Sequence, residues 1–329
     1  MVIALEKQWI WDSWYANDGE KWHAYFLKAD KSLGDPHLRH FNVSYGHAVS
    51  TDLINWEHLG TCFEPSRGET WDNYTTWTGS VLKEDGMWHL FYTGANHAED
   101  GNYQRIGHAT STDMHSWQRV GDGFVLDLLG PNAHHYEADF QHGFWHDRAM
   151  RDPWVMKDPD GDGWLMYFTA RASRVAEPNA GGCIGFATSD DLDNWTLQPP
   201  VFVGGYGQLE VPQVFEVNGN WYCLFCTAAE HFSSDRAENT PGGPVTGNHY
   251  LIGDSPRGPW RIAPGFLDGA LPPRRYAARI LKTDAGLVIL GFADRPDGGE
   301  FVGHVMDPEP VEIRQDGQLR IAPQRQAAE

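Results

Sequence analysis

The sequence predicts an all-β fold, a five-bladed β-propeller, on three observations. A strand–turn–strand unit recurs five times along the 329 residues. A second series of short strands, each ending in a turn and a Trp, interleaves with the first. No stretch reads as a long amphipathic helix, and Gly, Asn and Asp turns separate short strands throughout. Two series sharing one long period mean one supersecondary unit repeated. Four strands per unit, repeated around an axis, leave only short protected edges, which is the propeller arrangement.

The first series runs in order. It reads WDSWYANDGEKWHAYFLKA from Trp11, WTGSVLKEDGMWHLFYTGA from Trp77, and RDPWVMKDPDGDGWLMYFTARA from Arg151. LEVPQVFEVNGNWYCLFCTAAE from Leu209 and YAARILKTDAGLVILGFAD from Tyr276 complete it. Each copy is a strand, a polar turn and a more apolar second strand. The second strands open at Trp22, Trp88, Trp164, Trp221 and Leu287, separated by 66, 76, 57 and 66 residues. The four Trp are read as packing between blades. The second series is GHAVSTDLINWEHL from Gly46, GHATSTDMHSWQRV from Gly107, GFATSDDLDNWTLQ from Gly185 and IGDSPRGPWRI from Ile252. Its Trp56, Trp117, Trp195 and Trp260 lie 61, 78 and 65 residues apart. The last blade is expected from YAARILK, LVILGFA, FVGHVM and PVEIRQ–QLRIA. The segment before Trp9 is placed to pair with that blade and close the ring. Three insertions interrupt the repeat, at 28–42, 122–149 and 230–247, and the first two are read as shaping a site.

Because the five copies span nearly the whole chain, a single domain over residues 1–329 is expected. A hydrophobic content of 41% is ample for a packed core. A net charge of −20 argues against a nucleic-acid partner, which needs phosphate-neutralising Lys and Arg. It also disfavours an anionic membrane surface, and no segment is apolar enough to span a bilayer. The acidity is read as solubility. MVIALEKQWIWDSW has no basic region followed by a long apolar run, so no signal peptide is read. Cys223 and Cys226 sit at i and i+3 of one strand and point to opposite faces. Together with Cys62 and Cys183 they are read as reduced thiols of a cytoplasmic protein. DPDGDG from Asp158 is read as a hairpin turn, since the distant Glu of a calcium loop is missing. The pairs His134–His135 and His142–His146 are read as a surface or sugar-binding loop. Neither metal nor cofactor is expected.

Asp12, Asp152 and Glu210 precede Trp22, Trp164 and Trp221 by 10, 12 and 11 residues. Acids at matching places of a ring meet across its channel. Paired carboxylates are the equipment of glycosidic bond cleavage: one protonates the leaving oxygen, another acts as nucleophile or base. The aromatic setting suits a small carbohydrate, because sugar rings stack on aromatic faces. Trp11 and Trp14 flank Asp12, and Trp77 opens the second copy. Arg151 can bind hydroxyls and hold a neighbouring Asp ionised.

These motifs resemble the five-bladed propeller glycoside hydrolases of families 32 and 68, the invertase/inulinase and levansucrase/fructosyltransferase groups. YGHAVSTDLINWEHL, WTGSVL with LFYTG, MRDPWV, WIWDSW and EVPQVF carry the resemblance, in order. It implies Asp12 as nucleophile, Asp152 as transition-state stabiliser and Glu210 as general acid/base. Trp11, Trp77, Thr78 and Arg151 match positions that hold a terminal fructosyl unit. Gln208 falls where family 68 often has a second acid. The sequence is read as a short form without the C-terminal β-sandwich of family 32, and the N-D-P-N-G and E-C-P-D forms of that family do not occur in it. The implied activity is a retaining β-fructofuranosidase, with carboxyls roughly 5–5.5 Å apart and a raised Glu210 pKa. The alternatives are an inverting family 43-like arabinofuranosidase or xylosidase, a fructosyltransferase, and a non-catalytic sugar-binding propeller.

Overall fold

The computed structural model describes residues 3–139, 147–269, 274–295 and 299–322. Twenty strands form five antiparallel four-stranded sheets. Blade one holds β1 (Gln8–Asn17), β2 (Trp22–Asp30), β3 (Ser44–Ser50) and β4 (Glu57–Phe63). Blade two holds β5 (Thr75–Glu84), β6 (Met87–Ala95), β7 (Arg105–Ser111) and β8 (Gln118–Leu126). Blade three holds β9 (Met150–Lys157), β10 (Trp164–Arg171), β11 (Gly182–Ser189) and β12 (Trp195–Val203). Blade four holds β13 (Glu210–Val217), β14 (Asn220–Thr227), β15 (Gly247–Gly253) and β16 (Trp260–Ile262). Blade five holds β17 (Arg275–Thr283), β18 (Gly286–Ala293), β19 (Glu309–Ile313) and β20 (Leu319–Ile321). The first strands touch in sequence around a ring, β1 to β5, β9, β13, β17 and back to β1. This is a β-propeller with β1, β5, β9, β13 and β17 innermost.

The Ser-x-Asp turns have one physical form in three blades. Ser50, Ser111 and Ser189 hydroxyls donate to Asp52, Asp113 and Asp191. Each Asp accepts two following backbone N–H groups. The residue after each Asp is left-handed: Leu53, Met114 and Leu192, at φ 62°, 63° and 69°. Asp side chains favour such turns because they satisfy the local backbone themselves. The DPDGDG segment is a turn, as expected, tied down by Arg257 onto Asp158 and Asp160. All four cysteines are free thiols.

Blade five departs from the expectation in its third strand. FVGHVM is not a strand; it contributes single bridges from Val305 to Phe292 and to Ile3. Gly303 breaks it, left-handed at φ 68° and packed against the Trp9 ring. PVEIRQ and QLRIA supply β19 and β20 instead. The segment before Trp9 does meet the last blade, through Ile3–Val305 and the bond from Ile10 N–H to Gly303 O at 2.9 Å.

Between blades run hydrogen-bonded imidazole columns. His23 Nδ1 lies 2.9 Å from His47 Nε2, and His47 Nδ1 lies 3.0 Å from His115 Nδ1. One blade on, His89 Nδ1 lies 2.9 Å from His108 Nε2, and His108 Nδ1 lies 3.1 Å from Asp193. Blade three carries Leu165 and Phe186 at the equivalent places, so its column is apolar. Burial, with the neighbouring imidazoles, pushes His47 and His108 down from 6.5 to about 3. Unfolded histidine takes its proton below about pH 6.5, whereas the folded ring stays neutral until about 3. The stability they contribute is therefore present above pH 6.5 and lost as pH falls toward 3. We expect a His89→Leu/His108→Phe variant, copying blade three, to lose less Tm than the wild type between pH 7 and pH 4.5. Parallel Tm–pH curves by circular dichroism would remove the columns from the acid sensitivity.

Candidate active site

Every innermost strand carries one extra residue relative to its partner at the same height. The shifts fall between Ile10 and Ser13, Trp77 and Gly79, Glu210 and Gln213, and Tyr276 and Arg279. In blade three the shift lies opposite Tyr167–Thr169, at Asp152 and Pro153. A β-bulge bends the strand and re-aims its side chains. Regular alternation would send consecutive side chains to opposite faces. Here Trp11 and Asp12, Trp77 and Thr78, Arg151 and Asp152, and Glu210 and Val211 all line one cavity of about 490 Å³. Its size is in the range of small-molecule sites, about 300–1,000 Å³. Pro153 and Pro212 sit in bulges, where a missing N–H removes no ladder bond.

The register corrects the premise that the three acids occupy one repeated position. Glu210 pairs with Cys226 as Arg151 pairs with Thr169, so Glu210 corresponds to Arg151 and Asp152 to Val211. The acids converge because the bulges bring successive positions to the same wall. Asp152 and Val211 are left-handed, at φ 58° and 55°. A β-branched residue rarely adopts this conformation. It aims the Val211 N–H at Asp152 Oδ2, 3.1 Å away.

The polar network is dense. Asp12 accepts from the Thr78 hydroxyl. Asp152 accepts from Thr169 at 2.8 Å and lies 3.5 Å from Arg151 Nε. Glu210 accepts from Arg151 Nη2 at 2.8 Å and from the Tyr276 hydroxyl at 2.6 Å. Burial, then the Asp152 charge, pushes Asp12 up to about 7 against the Thr78 bond. Burial also raises Asp152, against the Arg151 charge. Burial raises Glu210 too, but Arg151 and the Tyr276 bond outweigh it and hold Glu210 below the usual carboxylate range. The expected raised Glu210 is thus reversed: both its oxygens accept from donors that favour the anion.

The candidate site residues divide clearly. Asp12, Asp152, Glu210, Trp11, Trp77, Thr78 and Arg151 line the cavity. Trp14 does not. It is 1% exposed, stacked on Tyr25 and edge-on to Tyr45 in the core. Trp11 and Asp12 form the bulge, which breaks the alternation that would have put Asp12 and Trp14 on one face. Gln208 is wholly buried and misses the cavity; its Oε1 accepts from Arg151 Nη2 at 2.5 Å and fixes that guanidinium from behind. His134 bonds the Pro131 carbonyl and stays outside the cavity. His142–His146 lies outside the described residues. Among the described residues no cluster of three metal-ligating side chains occurs.

Sequence reasoning passed over Tyr276, although the fifth repeat copy begins on it, at the register position of Glu210 and Arg151. It also passed over Arg39, His40 and Phe41, which the 28–42 insertion brings into the cavity. The insertion is pinned by the His40 carbonyl, which accepts from Thr75 Oγ1 and Trp77 Nε1, each at 2.7 Å. Phe41 stacks on Tyr74.

Residues 12–257 match the family model described as the glycosyl hydrolases family 32 N-terminal domain. The chain belongs to glycosyl hydrolase family 32. Among curated family 32 relatives, the levanase of Bacillus sp. (strain L7) is 28% identical over 80% of this chain and 27% of its own length. The sucrose-6-phosphate hydrolase of Bacillus subtilis (strain 168) is 29% identical over 54% of this chain and 33% of its own. The chain thus spans about a quarter to a third of these relatives. Two solved structures share the propeller. The inulosucrase of Halalkalicoccus jeotgali bound to kestose aligns at TM-score 0.76 and 22% identity over 98% of this chain and 90% of that one. Bacillus subtilis levansucrase aligns at 0.77 and 16% over 98% and 88%.

The core placement of Trp14 sets a prediction. Trp14→Ala should cost about 3–5 kcal/mol of folding stability, the usual range for emptying a buried Trp. Urea unfolding measures it; an unchanged midpoint would return Trp14 to the list of surface contacts.

Proposed function

We propose that this chain is a retaining glycoside hydrolase acting on non-reducing terminal β-D-fructofuranosides. The observation that carries the reading is the convergence of Asp12, Asp152, Glu210 and Arg151 on one aromatic-lined cavity in a family 32 chain. In this reading Asp12 attacks the anomeric carbon and the bond to the leaving oxygen breaks. Glu210 gives that oxygen its proton. Water then attacks the same carbon, returns a proton to Glu210 and frees Asp12. Asp152 is fixed by Thr169 and the Val211 N–H, which suits it to hold sugar hydroxyls rather than to move.

The resting proton favours Asp12 over Glu210. Moving it to Glu210 changes no net charge in the cavity. A leaving-group oxygen competing for the Arg151 and Tyr276 donors of Glu210 drives that transfer. The pH profile then reports the acids as a coupled set. Four free thiols support a cytoplasmic location as part of this proposal. The named activities of the levanase, the sucrose-6-phosphate hydrolase and the inulosucrase support a fructosyl donor.

The test is a screen of sucrose, kestose, levan, arabinofuranosides and xylosides, with and without acceptor sugars. Fructosides should be turned over with retention, read at C2 by ¹³C NMR. Glu210→Gln should lose about 10²–10⁴-fold in kcat on unactivated fructosides, and Asp12→Asn at least as much. Inversion with arabinofuranosides would favour the family 43-like reading. Transfer to acceptors without hydrolysis would make the chain a fructosyltransferase.

A further inference from the structure

Besides Arg151, the guanidiniums of Arg39 and Arg279 stand near Asp12. Their settings differ. Arg279 lies beneath the cavity floor, 1% exposed, bonded to the carbonyls of Val211 and Pro212 and set over the Trp154 ring. It does not line the cavity. Arg39 does, and it arrives on the 28–42 insertion rather than on a blade. Its guanidinium is held between the rings of Phe301 and Trp11, 4.3 and 5.5 Å from their centroids. Among the described residues its one hydrogen bond goes to the Pro36 carbonyl, at 2.8 Å. Its Nε is buried and unpartnered.

A buried cation without a carboxylate in contact is costly. Arg151, the other cavity guanidinium, is committed to Glu210, Gln208 and Gln104. Arg39 has no carboxylate bond among the described residues, although Asp294, Arg295 and Asp35 also act on it besides Asp12. In an apolar sleeve its field is weakly screened and falls on the adjacent acid. Around Asp12 stand the acids Asp152 and Glu210, the Cys226 thiol that burial keeps neutral, and the cations Arg279 and Arg39; Thr78 donates its hydroxyl. Two neighbouring acids and burial disfavour the Asp12 carboxylate, so its ionisation depends on the cations.

We propose that Arg39 is a positioning residue whose charge, delivered by the blade-one insertion beside Trp11, favours the Asp12 carboxylate that attacks. The proposal rests on the nucleophile role given to Asp12 above. The insertion then sets the working pH of the catalytic floor as well as the shape of the rim.

Arg39→Met removes the charge and keeps much of the stem; Arg39→Lys keeps the charge. In the ligand-free protein, the Asp12 carboxyl is followed by ¹³C NMR across pH 4–9, assigned by its loss in Asp12→Asn. Its midpoint should rise by about one pH unit or more in Arg39→Met and return in Arg39→Lys. The acid limb of kcat/KM on sucrose should move by the same amount. An unmoved midpoint in a folded Arg39→Met protein overturns the proposal, as does a raised KM with an unmoved acid limb. Should Arg39→Met not fold, Arg39→Gln carries the same test. A shifted midpoint in a protein whose wild type turns over no fructoside upholds the Arg39–Asp12 coupling and overturns the fructoside reading instead.

Discussion

One constraint underlies the site: each innermost strand has a residue more than its partner at a single height of the ring. Without those bulges a strand offers the channel one side chain in two. With them, neighbours such as Arg151 and Asp152 face the same space. The cavity gains both an acid and the cation that balances it from three residues of chain. The cost is local backbone strain at Asp152, Val211 and Ala277, all left-handed without being glycine. The ring of blades around them supplies the packing that holds such a conformation.

Arg151 links the consequences. It lies against Asp152, bonds Glu210 and is itself braced by Gln208 and Gln104. A fixed guanidinium stabilises whichever carboxylate it touches, so Glu210 is the favoured anion and Asp12 the favoured acid when the cavity holds no sugar. Chemistry of the proposed kind needs the opposite distribution. Rigid donors and a mobile proton reconcile the two, because the donors do not have to move when the proton does.

The fold was legible because a repeat multiplies a weak signal. One hairpin at Trp11 means little, and five in order mean a ring. The repeat also drew attention to the acids, although their register positions differ and the bulges, not the repeat, bring them together. What resisted reading was register. Trp14 is two residues from Asp12, which on a regular strand means the same face; Asp12 lies in the bulge, so it turns to the cavity while Trp14 stays in the core. Gln208 precedes β13 and points behind Arg151, a fact of loop path that no spacing encodes. Tyr276 stood at the right place of the fifth copy, but a phenol in an acidic series does not announce a hydrogen bond to Glu210. Arg39 lies in the connection between second and third strands, whose sequence does not repeat from blade to blade, so the repeat could not place it.

The anchoring of that insertion carries a consequence for divergence. It is pinned to blade two by the carbonyl oxygen of His40, a group every amino acid possesses. The fastening is indifferent to the identity of the side chain beside it. A change of side chain at position 40 leaves those two bonds in place, so new specificities can be sampled there while Arg39 and Phe41 stay seated against their own ring partners.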